Sequence, residues 1–337
     1  MNTPTVDVLR GAIIESRHRV SVAVTDAEGA LVARAGDADL VTFWRSAAKF
    51  FQVMPLVLGG GADALGLTDP ELGLACASHN GEPRHRELAA SVLAKARCGE
   101  DDLACGPHPS LAEPVARAMA ARGEKPTRLH SNCSGKHAAM LAQARFRGWT
   151  TAGYAEADHP VQRGCIEEVA RWSGVPAAAI GRGVDGCGVV CFALPLRAMA
   201  LAYARLGARR LAGDGGAARE AAADRLVRAV TAEPFLLAGT ARFCTEVLTT
   251  SGGRVVAKVG AEGVYCAALP EKGLGIALKV EDGDSRSSIV ALVAVLEQLA
   301  PGVAAVAPEW RSPPVTNLRG QVVGRIEAQV PLQPGGG

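Results

Sequence analysis

Strand-patterned sequence occurs at the two ends of this chain and almost nowhere between, and that limits the folds open to it more than any other feature. Arg19 to Thr25 (RVSVAVT) alternates in the manner of a strand, Asp26-Ala27-Glu28-Gly29 reads as a turn, and Ala30 to Ala35 reads as a second strand. Near the other end, Val255 to Val259, Val264 to Ala268 and Gly275 to Val280 read as three more, with turns at Gly260 to Gly263 and Pro270 to Gly273. Ser46 to Leu58 is an apolar, Gly-free stretch that predicts a buried helix ending at Gly59-Gly60-Gly61, with a kink at Met54-Pro55. The middle, from about Asp69 to Ala241, is mostly helical in pattern, and Ser285 to Leu299 predicts an amphipathic helix. The expected layout is therefore α+β: a five-stranded antiparallel sheet flanked by helices, with a largely helical insert. The boundaries are a sheet lobe at about 1–60 and 242–333 and a helical lobe at about 61–241, in one domain of residues 1–333. The Gly-rich end, 334–337, reads as a disordered tail.

Bulk properties exclude several classes of partner. The formal net charge is +2 with no basic tract or aromatic-basic stripe, which sets nucleic acid aside. No apolar run approaches the roughly 20 residues of a membrane span. Met1 to Glu15 carries acidic residues and no continuous apolar core of a signal peptide, so a cytoplasmic location is expected. The nine scattered cysteines fit reduced thiols better than a disulfide framework. Only seven lysines stand against 29 arginines. Where arginine is the default cation, the lysines that remain are enriched at places where the cation must be able to lose its proton. Lys49, Lys136 and Lys258 all fall inside motifs; Lys95, Lys125, Lys272 and Lys279 look like ordinary surface or strand residues.

Three short motifs follow one another in a telling order: Ser46-Ala47-Ala48-Lys49 (S-x-x-K), Ser78-His79-Asn80 (S-x-N) and Lys258-Val259-Gly260 (K-x-G). The first and third forms occur nowhere else in the chain. Residues three apart share a helix face, so Lys49 can reach the Ser46 hydroxyl, and apolar neighbours such as Phe50 and Phe51 favour a neutral amine able to act as a base. The helix start offers backbone N–H groups for an oxyanion. A hydroxyl and an amide at Ser78 and Asn80 could relay a proton and orient a substrate, Lys258 could pair with Ser78, and Gly260 would let a substrate approach the backbone. Taken singly, each motif has a plainer reading: an N-capping serine with a solvent-seeking lysine, a turn, and a strand-end lysine before a turn glycine. Enzymes that activate a serine with a lysine carry such a set in this order.

A fourth cluster differs in kind. His130-Ser131-Asn132-Cys133-Ser134-Gly135-Lys136-His137 opens a helix, and Asp185-Gly186-Cys187-Gly188 lies in a Gly-rich loop. The first resembles a phosphate loop only at its tail, since the leading glycine is missing and His137 stands where Ser or Thr is needed. Cys133 and His137 share a helix face and Cys187 could meet them, so two thiolates and one nitrogen could hold zinc; buried structural cysteines are the alternative.

The stretches ESRHRVSVAV, FWRSAAKFFQ, CASHNGEPRH, HSNCSGKHAAM, VDGCGVVCFALPL and AKVGAEGVYCAAL resemble the rhizobial-type (class 3) L-asparaginases over almost the whole chain. The resemblance implies a fold similar to serine β-lactamases and glutaminases, and hydrolysis of L-asparagine to L-aspartate and ammonia. Matched by motif, Ser46 and Lys49 would form one Ser-Lys pair, and Ser78 and Lys258 a second. It implies zinc on Cys133, Lys136 and Cys187, with His137 and Asp185 as nearby polar supports and Lys136 deprotonated. Arg45 is a candidate for the substrate carboxylate, and Asn80, His137 and Asp185 for other substrate contacts. A homodimer is also implied. Competing expectations are another Ser-Lys hydrolase (glutaminase, esterase or penicillin-recognising enzyme), a non-catalytic zinc or amino-acid binding protein, and a cysteine hydrolase using Cys133 and His137.

Overall fold

The computed structural model describes residues 3–211, 213, 215–303 and 308–336. The chain divides into two compact units: Met1–Ala47, Leu194–Ala208 and Val247–Gly337 form one, and Ala48–Ala193 with Arg209–Glu246 the other. The junction at Ala47 and Ala48 falls inside the S-x-x-K motif. Helix Lys49–Leu58, expected with the sheet, belongs to the helical unit, whereas helix Leu196–Ala208, expected in the insert, belongs to the sheet unit.

In the first unit all five expected strands form, in the order Leu31–Ala35, Ile13–Asp26, Leu274–Val280, Val264–Leu269 and Val256–Val259, each antiparallel to its neighbour. The turn after the long strand forms because the Asp26 carboxylate accepts the N–H groups of Glu28, Gly29 and Ala30. Among the described residues the sheet has nine strands, however, not five. The first half of Ile13–Asp26 pairs with Thr5–Arg10, which pairs with Val322–Gln329, which pairs with Pro314–Thr316. Two features hide these strands in the sequence. Thr5–Arg10 buries Asp7, whose carboxylate takes two hydrogen bonds from Arg17 at 2.9 Å. Val322–Gln329 carries Gly324, where a Cβ would stand 1.8 Å from the Leu9 carbonyl oxygen, so the strand pair tolerates only glycine there. The ninth strand, Gln333–Pro334, pairs with Leu31–Ala35, and Gly335 N–H donates to Val32 at 3.0 Å. The start of the tail expected to be disordered is thus hydrogen-bonded; Gly337, like Met1 and Asn2, lies outside the described residues.

Helix Leu196–Ala208 packs on Leu274–Val280, Ile13–Asp26 and Val264–Leu269. Gly275 permits this: a Cβ there would lie 2.0 Å from the Ala200 carbonyl oxygen. Helix Ser285–Leu299 packs on Val322–Gln329, Leu274–Val280 and Val264–Leu269, and Asp284 caps it by accepting from Ser287 N–H at 2.9 Å.

The second unit gathers around helix Ser134–Phe146, whose residues from Ser134 to Ala144 are all buried. A helix buried on every side shows no single apolar stripe. It packs against Lys49–Leu58, Asp69–Ala75 and Pro83–Lys95. Pro55 sits inside Lys49–Leu58, which continues past it to Leu58. A short antiparallel pair, Gly181–Val184 with Val190–Pro195, presents the Asp185–Gly188 loop at its turn. Among the described residues no helix is long and apolar enough to cross a membrane.

Candidate active site

The approach to Lys49 is a 3-10 turn, Arg45–Ala48, so the α-helix starts at Lys49 rather than at Ser46. Ser46 is half-buried in that turn. Lys49 is fully buried, and its Nζ donates to Ser78 Oγ at 2.9 Å, to the Asn132 carbonyl at 3.4 Å and to the Ala77 carbonyl. One hydroxyl and two backbone carbonyls thus surround the Lys49 nitrogen. The hydroxyl that Lys49 touches is therefore that of Ser78, a pairing the motif spacing does not suggest.

Ser78 is held there by its neighbours. Helix Asp69–Ala75 ends just before it, and the N–H groups of Ser78 and Asn80 donate to Leu237 and Ala238 at 3.0 and 2.9 Å. Gly81 then turns at φ +72°, with the His130 backbone so close that a Cβ would lie 2.8 Å from its carbonyl oxygen. Gly81 N–H donates to His79 Nδ1, so Nε2 carries the proton and donates to Ser134 Oγ at 3.1 Å; Ser134 donates on to the Leu129 carbonyl. Burial, then the neighbouring His85, holds the His79 imidazole neutral, well below its usual range. His79 thus ties the serine loop to the start of the central helix. The fully buried Asn80 amide donates to Thr240 O and Glu82 Oε1 and accepts from Arg242 Nη1 at 2.8 Å. Both its oxygen and its nitrogen are engaged by the protein, which suits positioning of the loop.

The same central helix begins with the cysteine cluster. The Cys133 thiol donates to Cys187, and Lys136 Nζ lies 3.0 Å from Cys187 Sγ. That hydrogen bond, helped by the Lys136 charge, pulls Cys187 down to about 5. The same bond and burial push Cys133 up to about 12. Burial works against the Lys136 ammonium, yet Cys187, Cys133 and Asp185 together raise it above its ordinary range. Asp185 shapes its own loop, its carboxylate accepting from Gly186 N–H at 2.8 Å. Two sulfurs and one nitrogen converge here, and they fit zinc as a donor set once Cys133 and Lys136 have given up their protons. Among the described residues no three His, Cys, Asp or Glu side chains gather as a ligand set, and the nitrogen beside Cys187 is Lys136 Nζ.

His137 has another engagement. Tyr154 Oη accepts from Ala104 N–H at 2.8 Å and shares a hydrogen bond with His137 Nδ1 at 2.6 Å. His137 Nε2 is buried without a partner among the described residues. Burial and the Lys136 charge bring His137 down to about 3. A buried ring nitrogen lacking a partner is a place for a ligand atom. A protonated Cys133 and a His137 bound to Tyr154 work against a Cys133–His137 nucleophile pair. Tyr154 carries no sequence signal, since it lies in an irregular stretch between helices.

The first unit carries the remaining motif residues. Lys258 is fully buried and donates to the Val259 carbonyl at 3.0 Å. Gly260 is packed against its own unit: a Cβ would lie 2.9 Å from the Trp44 carbonyl oxygen and from Val264 Cβ. Its small size serves that packing. Arg45 adopts φ +54°, which is strained for a side-chain-bearing residue, and its guanidinium lies 4.0 Å from Glu262.

Among curated proteins none matches the sequence. Among solved structures the chain is similar to the protein Mglu in its native form, at 16% identity and a TM-score of 0.38, covering 83% of this chain and 64% of that one. The tris- and glutamate-bound form of Mglu gives 16% identity and 0.40, covering 86% and 61%. The chain thus spans less than two thirds of Mglu in both structures. A candidate beta-lactamase from Bacteroides dorei DSM 17855 gives 13% identity and 0.43, covering 89% and 93%. The model of the L-asparaginase II family matches residues 6–328, nearly the whole chain. The chain belongs to the L-asparaginase II family.

Proposed function

We propose that the protein is a serine amidohydrolase on a serine β-lactamase-like α+β fold, and that it cleaves the side-chain amide of L-asparagine. Family membership supports amide hydrolysis. The observation that carries the serine mechanism is the fully buried Lys49 with its Nζ 2.9 Å from Ser78 Oγ.

In this reading Ser46 Oγ attacks the amide carbon, and its proton passes to Lys49 as a neutral amine. Helix-start N–H groups take the developing oxyanion charge. Lys49 returns the proton through Ser78 Oγ to the leaving nitrogen, the C–N bond breaks, and ammonia departs. Water then attacks the aspartyl ester, gives its proton back along the same route, and frees L-aspartate and Ser46. Lys258 enters as the second lysine, and Arg45 as the group for the substrate carboxylate, both on the family resemblance alone. Cys133, Lys136 and Cys187 are the donors we assign to zinc, which when bound supplies a Lewis-acid anchor for substrate polar groups. His137 Nε2, left without a protein partner among the described residues, is a hydrogen-bonding group for the same substrate. Asp185 holds the Cys187 loop. A homodimer and a cytoplasmic location complete the reading.

Ammonia release should be measured with L-asparagine and L-glutamine, beside nitrocefin and p-nitrophenyl acetate hydrolysis. Release from L-asparagine well above the other three is expected. Turnover confined to nitrocefin or the acetate ester would overturn the amide reading in favour of another Ser-Lys hydrolase. Asparagine binding in a thermal shift without ammonia would make the protein a binding protein.

A further inference from the structure

The helical unit has a concavity of about 480 Å³ lined by residues other than the serine and cysteine groups. It lies at the far ends of the two helices that begin with those groups. Its wall holds Pro55 and Leu58 from the end of Lys49–Leu58, and Gln143 from the end of Ser134–Phe146. About 10 Å of helix, at 1.5 Å per residue, separates Lys136 from Gln143. The volume falls within the roughly 300–1,000 Å³ of small-molecule sites.

The lining is chemically mixed in a specific way. Gln143 is 3% exposed, and its side-chain amide, which reaches the groove surface, has no hydrogen-bond partner among the described residues. Arg147 and Arg163 line the same groove, and neither forms an ion pair among the described residues; Arg147 instead lies 5.7 Å over the Phe146 ring. Glu167 supplies one carboxylate without an ion-pair partner among the described residues. The Glu168 carboxylate is already taken by Arg219 at 2.7 Å, which closes that part of the wall as a neutral pair. Trp149 adds an aromatic face. Two unpaired guanidinium groups suit a carboxylate. Glu167 and the negative ends of the two helices suit an ammonium. The Gln143 amide at the groove surface adds a donor and an acceptor.

We propose that this groove binds the zwitterionic head of a free α-amino acid, at a site separate from the one that carries Lys49 and Ser78. Guanidinium groups of Arg147 and Arg163 hold the carboxylate, Glu167 takes the ammonium, and the Gln143 amide meets one of them. Such a ligand would bear on the ends of both helices that carry the proposed chemistry.

The test is a titration of the full chain with glycine, L-aspartate and sodium acetate, followed by calorimetry and tryptophan fluorescence. Glycine and L-aspartate should bind, acetate at least tenfold more weakly, and the fluorescence change should vanish in Trp149→Phe. Arg163→Ala, a change at an exposed residue, should weaken glycine binding at least tenfold without altering the thermal midpoint, and Gln143→Leu should weaken it as well. Binding that Arg163→Ala leaves unchanged, acetate binding as tight as glycine, or no binding at millimolar glycine would each overturn the proposal. Binding is read without turnover, so this result stands apart from the amide-hydrolysis reading.

Discussion

Gly135→Ala adds one methyl group where helix Ser134–Phe146 meets helix Asp69–Ala75. At an open helix position the change would stabilise by about 1 kcal/mol, because alanine is the better helix former. Here the new Cβ would lie 2.5 Å from the Leu74 carbonyl oxygen, 2.7 Å from Leu74 Cγ and 2.9 Å from its carbonyl carbon. Ordinary contact begins at 3.4 Å, so the helices must part by about 0.9 Å. Two of the three clashing atoms are backbone and cannot rotate away. Overpacking of this kind costs roughly 1–3 kcal/mol, so a net loss of about 1 kcal/mol is expected after the helix-forming gain. The displacement also reaches the site. The Leu74 carbonyl accepts from Ala77 N–H at 2.9 Å, and the Ala77 carbonyl accepts from Lys49. A shift near 1 Å between Ser78 and Lys49 should lower kcat on the order of 100-fold. Urea unfolding read at constant slope, with kcat on L-asparagine, checks both parts. A Gly135→Ala protein at least as stable as the wild type, with kcat within about twofold, would refute the packing argument and its link to the site.

Further predictions concern charge, metal and the sheet. Glu71 is buried and takes hydrogen bonds from Lys95 at 2.6 Å, Thr68 N–H at 2.7 Å and Ser91 at 2.7 Å. Burial alone would raise its pKa, but these bonds outweigh burial and lower it. Its stabilisation is therefore complete above the unfolded value of about 4.3 and is lost as pH falls through the lower folded value. Glu71→Gln should cost about 1–3 kcal/mol at neutral pH, and its gap from the wild type should close in acid; a gap that widens in acid would contradict the sign. Cys133→Ser and Cys187→Ser should each abolish zinc retention through gel filtration, whereas retention at the wild-type ratio would remove these residues as ligands. Gly275→Ala should fail to accumulate as folded protein, since its Cβ would meet the Ala200 and Ala204 backbone at 2.0 and 2.3 Å. A normal melting curve for that variant would show that the helix and strand can separate.

Much of the fold was legible because local signals agreed. Strand alternation at both ends, the Asp26 turn and the helix Ser285–Leu299 all came from patterns confined to a few residues. The four extra strands were not, because they depend on partners far along the chain. Thr5–Arg10 reads as strand only once Arg17 neutralises Asp7 across the pair, and Gly324 weakens the signal of Val322–Gln329 while making its pairing possible. The site divides in the same way. Motifs named Lys49, Ser78, Cys133, Lys136 and Cys187, but spacing along a helix pairs Lys49 with Ser46, whereas its observed partner Ser78 comes from another segment. Tyr154 and Arg242 were invisible for the same reason, each defined by the buried side chain it reaches.

The most direct test of the account is ammonia release from L-asparagine by the wild type beside Ser46→Ala, Ser78→Ala and Lys49→Met, each first shown to be folded. Removing a nucleophile or its proton-transfer partner costs on the order of 1,000-fold or more. The account predicts an active wild type and losses of that order in all three variants. A wild type that releases no ammonia, or near-full turnover in Ser46→Ala, would contradict it.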